Sequence, residues 1–118
     1  MYKRQTPITV LKRSGTKELF NRSKIISGLN RACEKTIIHG SKIEFIVDEI
    51  ELELHQGVRK EVNTNEIGEM VLTHLKDINE VAYIRFASVY RQFNGINDFM
   101  KTLEALKPIK KEQLASVI

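Results

Sequence analysis

The sequence predicts an α+β fold, mostly α: a bundle of four to five helices capped by a small two- or three-stranded β-sheet. Three observations predict it. Two short extended runs flank the turn residues Ser14-Gly15. Apolar residues then recur at helical spacing in successive segments. Finally, 118 residues with 42% apolar content suit one domain with a real core, and two strands alone are barely stable without helices to lean on.

Residues 1–5 carry no pattern and are expected to fray. After Pro7, Ile8-Thr9-Val10-Leu11 is a β-branched run that reads as a strand. Ser14-Gly15 supplies turn chemistry, and Thr16 to Phe20 returns as a second strand, completing a hairpin. Asn21 caps a first helix with an apolar stripe at Ile25, Ile26, Leu29, Ala32 and Cys33. Ile37 to Gly40 breaks it. Ser41 and Glu44 have the spacing of a capping box for a second helix, striped by Ile43, Ile46, Val47, Ile50 and Leu54 and ended by Gln56-Gly57.

Val58 to Asn63 is a candidate third strand. Asn63 or Thr64 caps a third helix, with Ile67, Val71 and Leu75 four apart. Asp77 to Glu80 forms a further capping arrangement before a fourth helix from Val81 to about Phe93, apolar nearly all round and so expected at the centre. Asn94-Gly95 terminates it. A last helix runs from about Asn97 to Leu106, where Lys107-Pro108 is expected to stop it. The tail 107–118 is open between a further helical turn and disorder.

The totals exclude several function classes. No run of about 18 apolar residues exists to span a membrane, and the N-terminus has no apolar segment of a secretory signal. One cysteine, Cys33, excludes an internal disulfide and a multi-cysteine metal site. A soluble, cytoplasmic chain is expected. The net charge of +4 is unevenly placed: residues 1–35 hold nine Lys and Arg against two Asp and Glu, whereas residues 36–106 hold seven against twelve. Positive charge gathered at one end suggests an anionic partner there. On charge alone, a solvated basic face is the more ordinary explanation.

Lys12-Arg13 before the turn gives this anion a place. A triphosphate needs donors from several directions; lysine offers a point charge and arginine a planar fork. Lys24 lies on the first turn of the following helix, where unpaired backbone N–H groups also favour anions. Asn21 and Ser23 add neutral donors, and Glu18 can accept from a ribose hydroxyl or a base amine. The alternative is an exposed hairpin whose Lys and Arg guard an edge strand. Neither a P-loop nor a dinucleotide-binding glycine motif occurs. His39, His55 and His74 are scattered, Cys33 falls on the buried stripe, and Glu49, Glu51 and Glu53 alternate along a helix as solvated charge. Nothing resembles a catalytic triad, so no enzyme is expected. On the fourth helix, Tyr83, Tyr90 and Arg91 add polar groups to an apolar run, either as core and rim or as phosphate contacts.

Val10-x-Lys12-Arg13-Ser14-Gly15, followed by Glu18, Phe20-Asn21-Arg22 and Lys24, resembles the nucleotide-binding signature of the ATP-cone domain. Glu80 through Arg91, with Leu29-Asn30-Arg31-Ala32-Cys33, is similar to one branch of that family, the bacterial transcriptional repressors of ribonucleotide reductase genes, the NrdR type. The resemblance covers residues 6 to about 106. It implies ATP or dATP, with or without Mg²⁺, held between sheet and helices. Val10, Leu11 and Ile25 would wall the base and sugar. Lys12, Arg13 and Lys24 would take phosphates, Glu18 and Asn21 would be polar contacts, Thr64 would reach in, and Tyr90 would contact phosphates. It also implies sensing of the ATP-to-dATP balance and self-association into homo-oligomers, one of which binds operator DNA. Repressors of this type carry an N-terminal zinc ribbon with two Cys-x-x-Cys pairs. These 118 residues have none, so zinc and DNA binding do not carry over to them, and a fragment is expected. The alternatives are the allosteric cone of a ribonucleotide reductase subunit, or a helical interaction module with a basic hairpin.

Overall fold

A computed structural model describes residues 7–57 and 60–117, with side chains as far as residue 106. Among the described residues there are three strands and five helices, in the order β1 (Thr9–Leu11), β2 (Lys17–Leu19), α1 (Arg22–Ala32), α2 (Gly40–Gln56), β3 (Glu61–Asn63), α3 (Thr64–Lys76), α4 (Glu80–Tyr90) and α5 (Ile96–Val117). The mostly helical α+β architecture is as the sequence predicts.

The sheet order is β2-β1-β3. Strand β1 pairs antiparallel with β2, Val10 opposite Glu18, and parallel with β3, Val10 opposite Val62. The hairpin closes with Gly15 N–H donating to the Lys12 carbonyl at 2.9 Å and Lys12 N–H to Thr16 at 2.8 Å. Gly15 has φ +94°, a conformation that costs glycine nothing and an L side chain much. The predicted third strand forms at Glu61–Asn63; Val58 and Arg59, like residues 1–5, lie outside the described residues.

Helices α1 to α3 are anchored largely by the stripes read from the sequence, whereas α4 buries Ala82, Tyr83 and Ala87 and leaves Val81 and Val89 exposed, and of Phe99, Leu103 and Leu106 on α5 only Leu106 is buried. Leu29, Ile46, Val47, Ile50, Val71, Leu72 and Leu75 are almost fully buried, and Ile8, Val10 and Val62 close the core from the sheet. Cys33 lies in that core at 4% exposure, and burial pushes its thiol pKa up, which suits packing and not nucleophilic chemistry. Arg22, at the start of α1, pairs with Asp48 at 2.9 Å and with Glu51, tying α1 to α2. Glu51 and Glu53 are therefore not simply solvated: Glu53 lies 3.6 Å from His74.

Three boundaries differ from expectation. The capping box forms at Asn63 and Glu66, on α3, and not at Ser41 and Glu44. Thr36 explains the shift: its hydroxyl donates to the Cys33 carbonyl and accepts from Ile38 N–H. This turn delivers Gly40 as the first helical residue of α2, with His39 in the cap position, so Ser41 already lies inside the first turn. Helix α4 stops at Tyr90, three residues before Phe93, where Gln92 takes φ +52°. Its cap is Asn79, which accepts from Ala82 N–H at 3.0 Å. Helix α5 runs through Pro108 to Val117. Proline's fixed φ is compatible with a helix; it removes one backbone hydrogen bond and crowds the preceding turn. The good helix formers on both sides carry the helix across.

Candidate functional site

The site is built where β1 ends. Leu11 is in register with Asn63, so the end of β1 lies beside the start of α3. Thr64, the first residue of α3, donates its hydroxyl to the Leu11 carbonyl at 3.3 Å. The turn that follows carries Lys12 and Arg13. Arg13 donates to the Tyr90 carbonyl, where α4 ends, and its guanidinium carbon lies 5.6 Å from the centre of the Tyr90 ring. Thus a residue from the start of the chain and one 77 positions later meet at the last turn of α4, where unpaired carbonyls favour a cation.

On the other side, Lys24 of α1 donates to both Glu18 oxygens, at 3.0 and 2.8 Å. Lys12 Nζ stands 3.9 Å from the same carboxylate. The hydrogen bond from Lys24 and the nearby lysine charges hold the Glu18 carboxyl below its ordinary pKa. Asn21 caps α1, its side chain accepting from Ser23 N–H at 2.9 Å. Among the sequence-predicted residues, then, Lys12, Glu18 and Lys24 form one cluster, Arg13 and Tyr90 a second, and Leu11 and Thr64 a third. Val10 is 7% exposed and belongs to the core, and Ile25 packs half-buried against it. Arg91 pairs with Glu69 of α3 at 3.2 Å, while Tyr83 is a core residue.

Tyr90 is held more firmly than its place at a helix end suggests. Its hydroxyl donates to the Asn65 carbonyl at 2.6 Å, and its ring stacks on Phe86 with centroids 6.2 Å apart. Burial, more than the nearby Glu69, raises its phenol pKa. The ring crosses α3 over Gly68, where an added Cβ would lie 2.1 Å from a ring carbon. Sequence reasoning missed Gly68; the signal available was a glycine inside an otherwise good helix. Gly68→Ala gains about 1 kcal/mol of helix propensity but must evict the ring or shift α3, at about 1–3 kcal/mol. Denaturant unfolding should therefore show a net loss of about 1 kcal/mol. A variant stabilised by the full propensity gain would mean that the ring leaves without cost.

A second feature was not legible. A pocket of about 260 Å³ opens between α1 and α4, lined by Gly28, Arg31, Ala32, Arg85, Phe86, Val89 and Tyr90. Arg85 donates to the carbonyls of Ala32 and Glu34, satisfying the end of α1. Among the described residues, no group of three or more His, Cys, Asp or Glu side chains is placed to hold a metal ion. No helix among them is long and apolar enough to cross a membrane.

Comparison with known proteins agrees with the resemblance. Residues 8–96 match the ATP cone domain family. The transcriptional repressor NrdR of Prochlorococcus marinus (strain NATL1A) is 92% identical over 113 residues, which cover 96% of this chain and 71% of that protein. The NrdR of P. marinus (strain MIT 9211) is 66% identical over 95% of this chain and 70% of its own length. That of Synechococcus sp. (strain CC9605) is 59% identical over 94% and 70%.

Proposed function

We propose, since this chain belongs to the ATP-cone family as an NrdR-type repressor and not an enzyme, that it binds ATP or dATP at the β1–β2 turn and reports which is bound through its state of assembly. Lys12, Arg13 and Lys24 take the phosphates. Glu18 and Asn21 contact base or sugar, Leu11, Val10 and Ile25 form the apolar side, and Thr64 and Tyr90 close the site from α3 and α4. One observation carries this reading: two lysines from different elements share a single carboxylate. The two ammonium groups thus lie within reach of one anion, which is the placement a phosphate needs. A Mg²⁺ ion accompanying the triphosphate would be held mainly by phosphate oxygens.

Occupancy of the turn can reach the helices because Tyr90 connects the turn to α3 through Asn65 and to α4 through its own backbone. A phosphate drawing Arg13 away from Tyr90 would loosen that junction. We place the chain in the bacterial cytoplasm, as a homo-oligomer, with operator DNA contacted only by a protein that also carries a zinc ribbon.

Thermal unfolding with added nucleotide tests binding. ATP at a hundredfold excess over its dissociation constant should stabilise the fold by about 2.7 kcal/mol, read as a rise in Tm of several degrees. Light scattering should then give different masses with ATP and with dATP. An unmoved Tm with both nucleotides would end the binding proposal, and one unchanged mass in both would end the switch.

A further inference from the structure

The sheet register gives Glu18 a direction that its position in the sequence conceals. Residues directly opposite on neighbouring strands share a face. Glu18 is opposite Val10, which is opposite Val62, and both valines are buried against the helices. The Glu18 side chain therefore lies on the helix-facing side of an edge strand, with 34% of its surface exposed. There it receives Lys24 on both oxygens and has Lys12 at 3.9 Å. Both lysines assigned to the phosphates are thus already engaged by one anion, and that anion is part of the protein.

We propose that Glu18 is an internal competitor for the phosphate subsite and, through this, a specificity determinant that admits a nucleotide and rejects a bare polyphosphate. The inference rests on the nucleotide reading above and concerns the selectivity of the same site. A triphosphate reaching Lys12 and Lys24 brings its oxygens beside the Glu18 carboxylate, and like charges at that distance repel. The carboxylate must give up Lys24. With a bare polyphosphate it gains little in exchange, because that ligand offers phosphate oxygens and no N–H or sugar O–H donor. A nucleotide also carries N–H and O–H donors on its base and sugar, and the released carboxylate can accept from one of them. Discrimination then comes from a repulsive element that only the right ligand neutralises. Were Glu18 merely an inward charge protecting an edge strand from pairing, its removal would leave polyphosphate binding unchanged.

Calorimetric titration of the whole chain with sodium tripolyphosphate and with ATP tests this, using wild type, Glu18→Gln and Glu18→Ala, with circular dichroism to establish that each is folded. Removal of a partly exposed competing carboxylate should tighten tripolyphosphate binding about fivefold to tenfold. ATP should gain less, because its donors lose their acceptor, so the gap between the two ligands narrows in both variants. If wild type binds ATP and neither variant gains affinity for tripolyphosphate, the competitor is disproved while the nucleotide site stands. A wild type that binds tripolyphosphate as tightly as ATP equally disproves it. If wild type binds neither ligand, the nucleotide reading itself fails and takes this inference with it.

Discussion

Replacing Lys12 and Lys24 together by alanine is expected to weaken ATP binding about a hundredfold. A hydrogen bond to a charged group contributes about 1.5–3 kcal/mol when well formed. Both lysines are roughly half exposed, so the lower end applies, and about 1.4 kcal/mol each is tenfold each. A second effect acts in the same direction. Without its two partners, Glu18 becomes an uncompensated anion beside the incoming phosphates. The single variants should each lose about tenfold, and the double variant somewhat more than the product, because only there is Glu18 fully released. The fold should be almost unaffected, since exposed ion pairs contribute at most about 1 kcal/mol. Titration calorimetry reads the affinities and circular dichroism the fold. Variants that bind like wild type would move the phosphates elsewhere.

Leu29→Ala is expected to have the largest effect on stability. Leu29 is fully buried on α1, the helix that packs on both α2 and α4. Truncating a leucine at such a site costs about 3–4 kcal/mol, from lost burial and the cavity left behind. A domain of this size holds about 5–15 kcal/mol in total. A fall in the urea midpoint with an unchanged slope would report the loss. The consequence for function is indirect, because α1 also carries Asn21 and Lys24. A cost below about 1.5 kcal/mol would mean that α1 is not fixed by its buried face.

Much of this molecule is written locally. The stripes of α1 to α3 and the turn at Gly15 could be read because each depends on neighbours within a few residues. The same holds for the cap at Asn21, for that of α3, read as Asn63 or Thr64, and for the capping stretch Asp77 to Glu80, within which Asn79 is the cap. Lys12 and Lys24 were legible as neighbours for that reason, because a hairpin and one helix cap bring them together; their pairing with Glu18, and the turning of Arg13 away to Tyr90, were not. What escaped depends on distant contacts. Gly68 is informative only once Tyr90, from the next helix, lies across it. The α1–α4 pocket is lined by Gly28 and Phe86, which meet across two helices far apart in the chain. Ser41 and Glu44 carry the right residue types for a capping box, yet Thr36 sets the register of the turn before them. Pro108 has the residue type of a helix stop, but a proline only weakens a helix that its flanking residues favour.

On the reading proposed above, an adenine nucleotide binds where β1 meets α1, α3 and α4. Calorimetric titration of the unmodified chain with ATP, and separately with dATP, addresses it most directly. Saturable binding with a dissociation constant below about 100 μM is expected for at least one of the two, lost in the Lys12 and Lys24 double variant. Flat titrations with both nucleotides would contradict it.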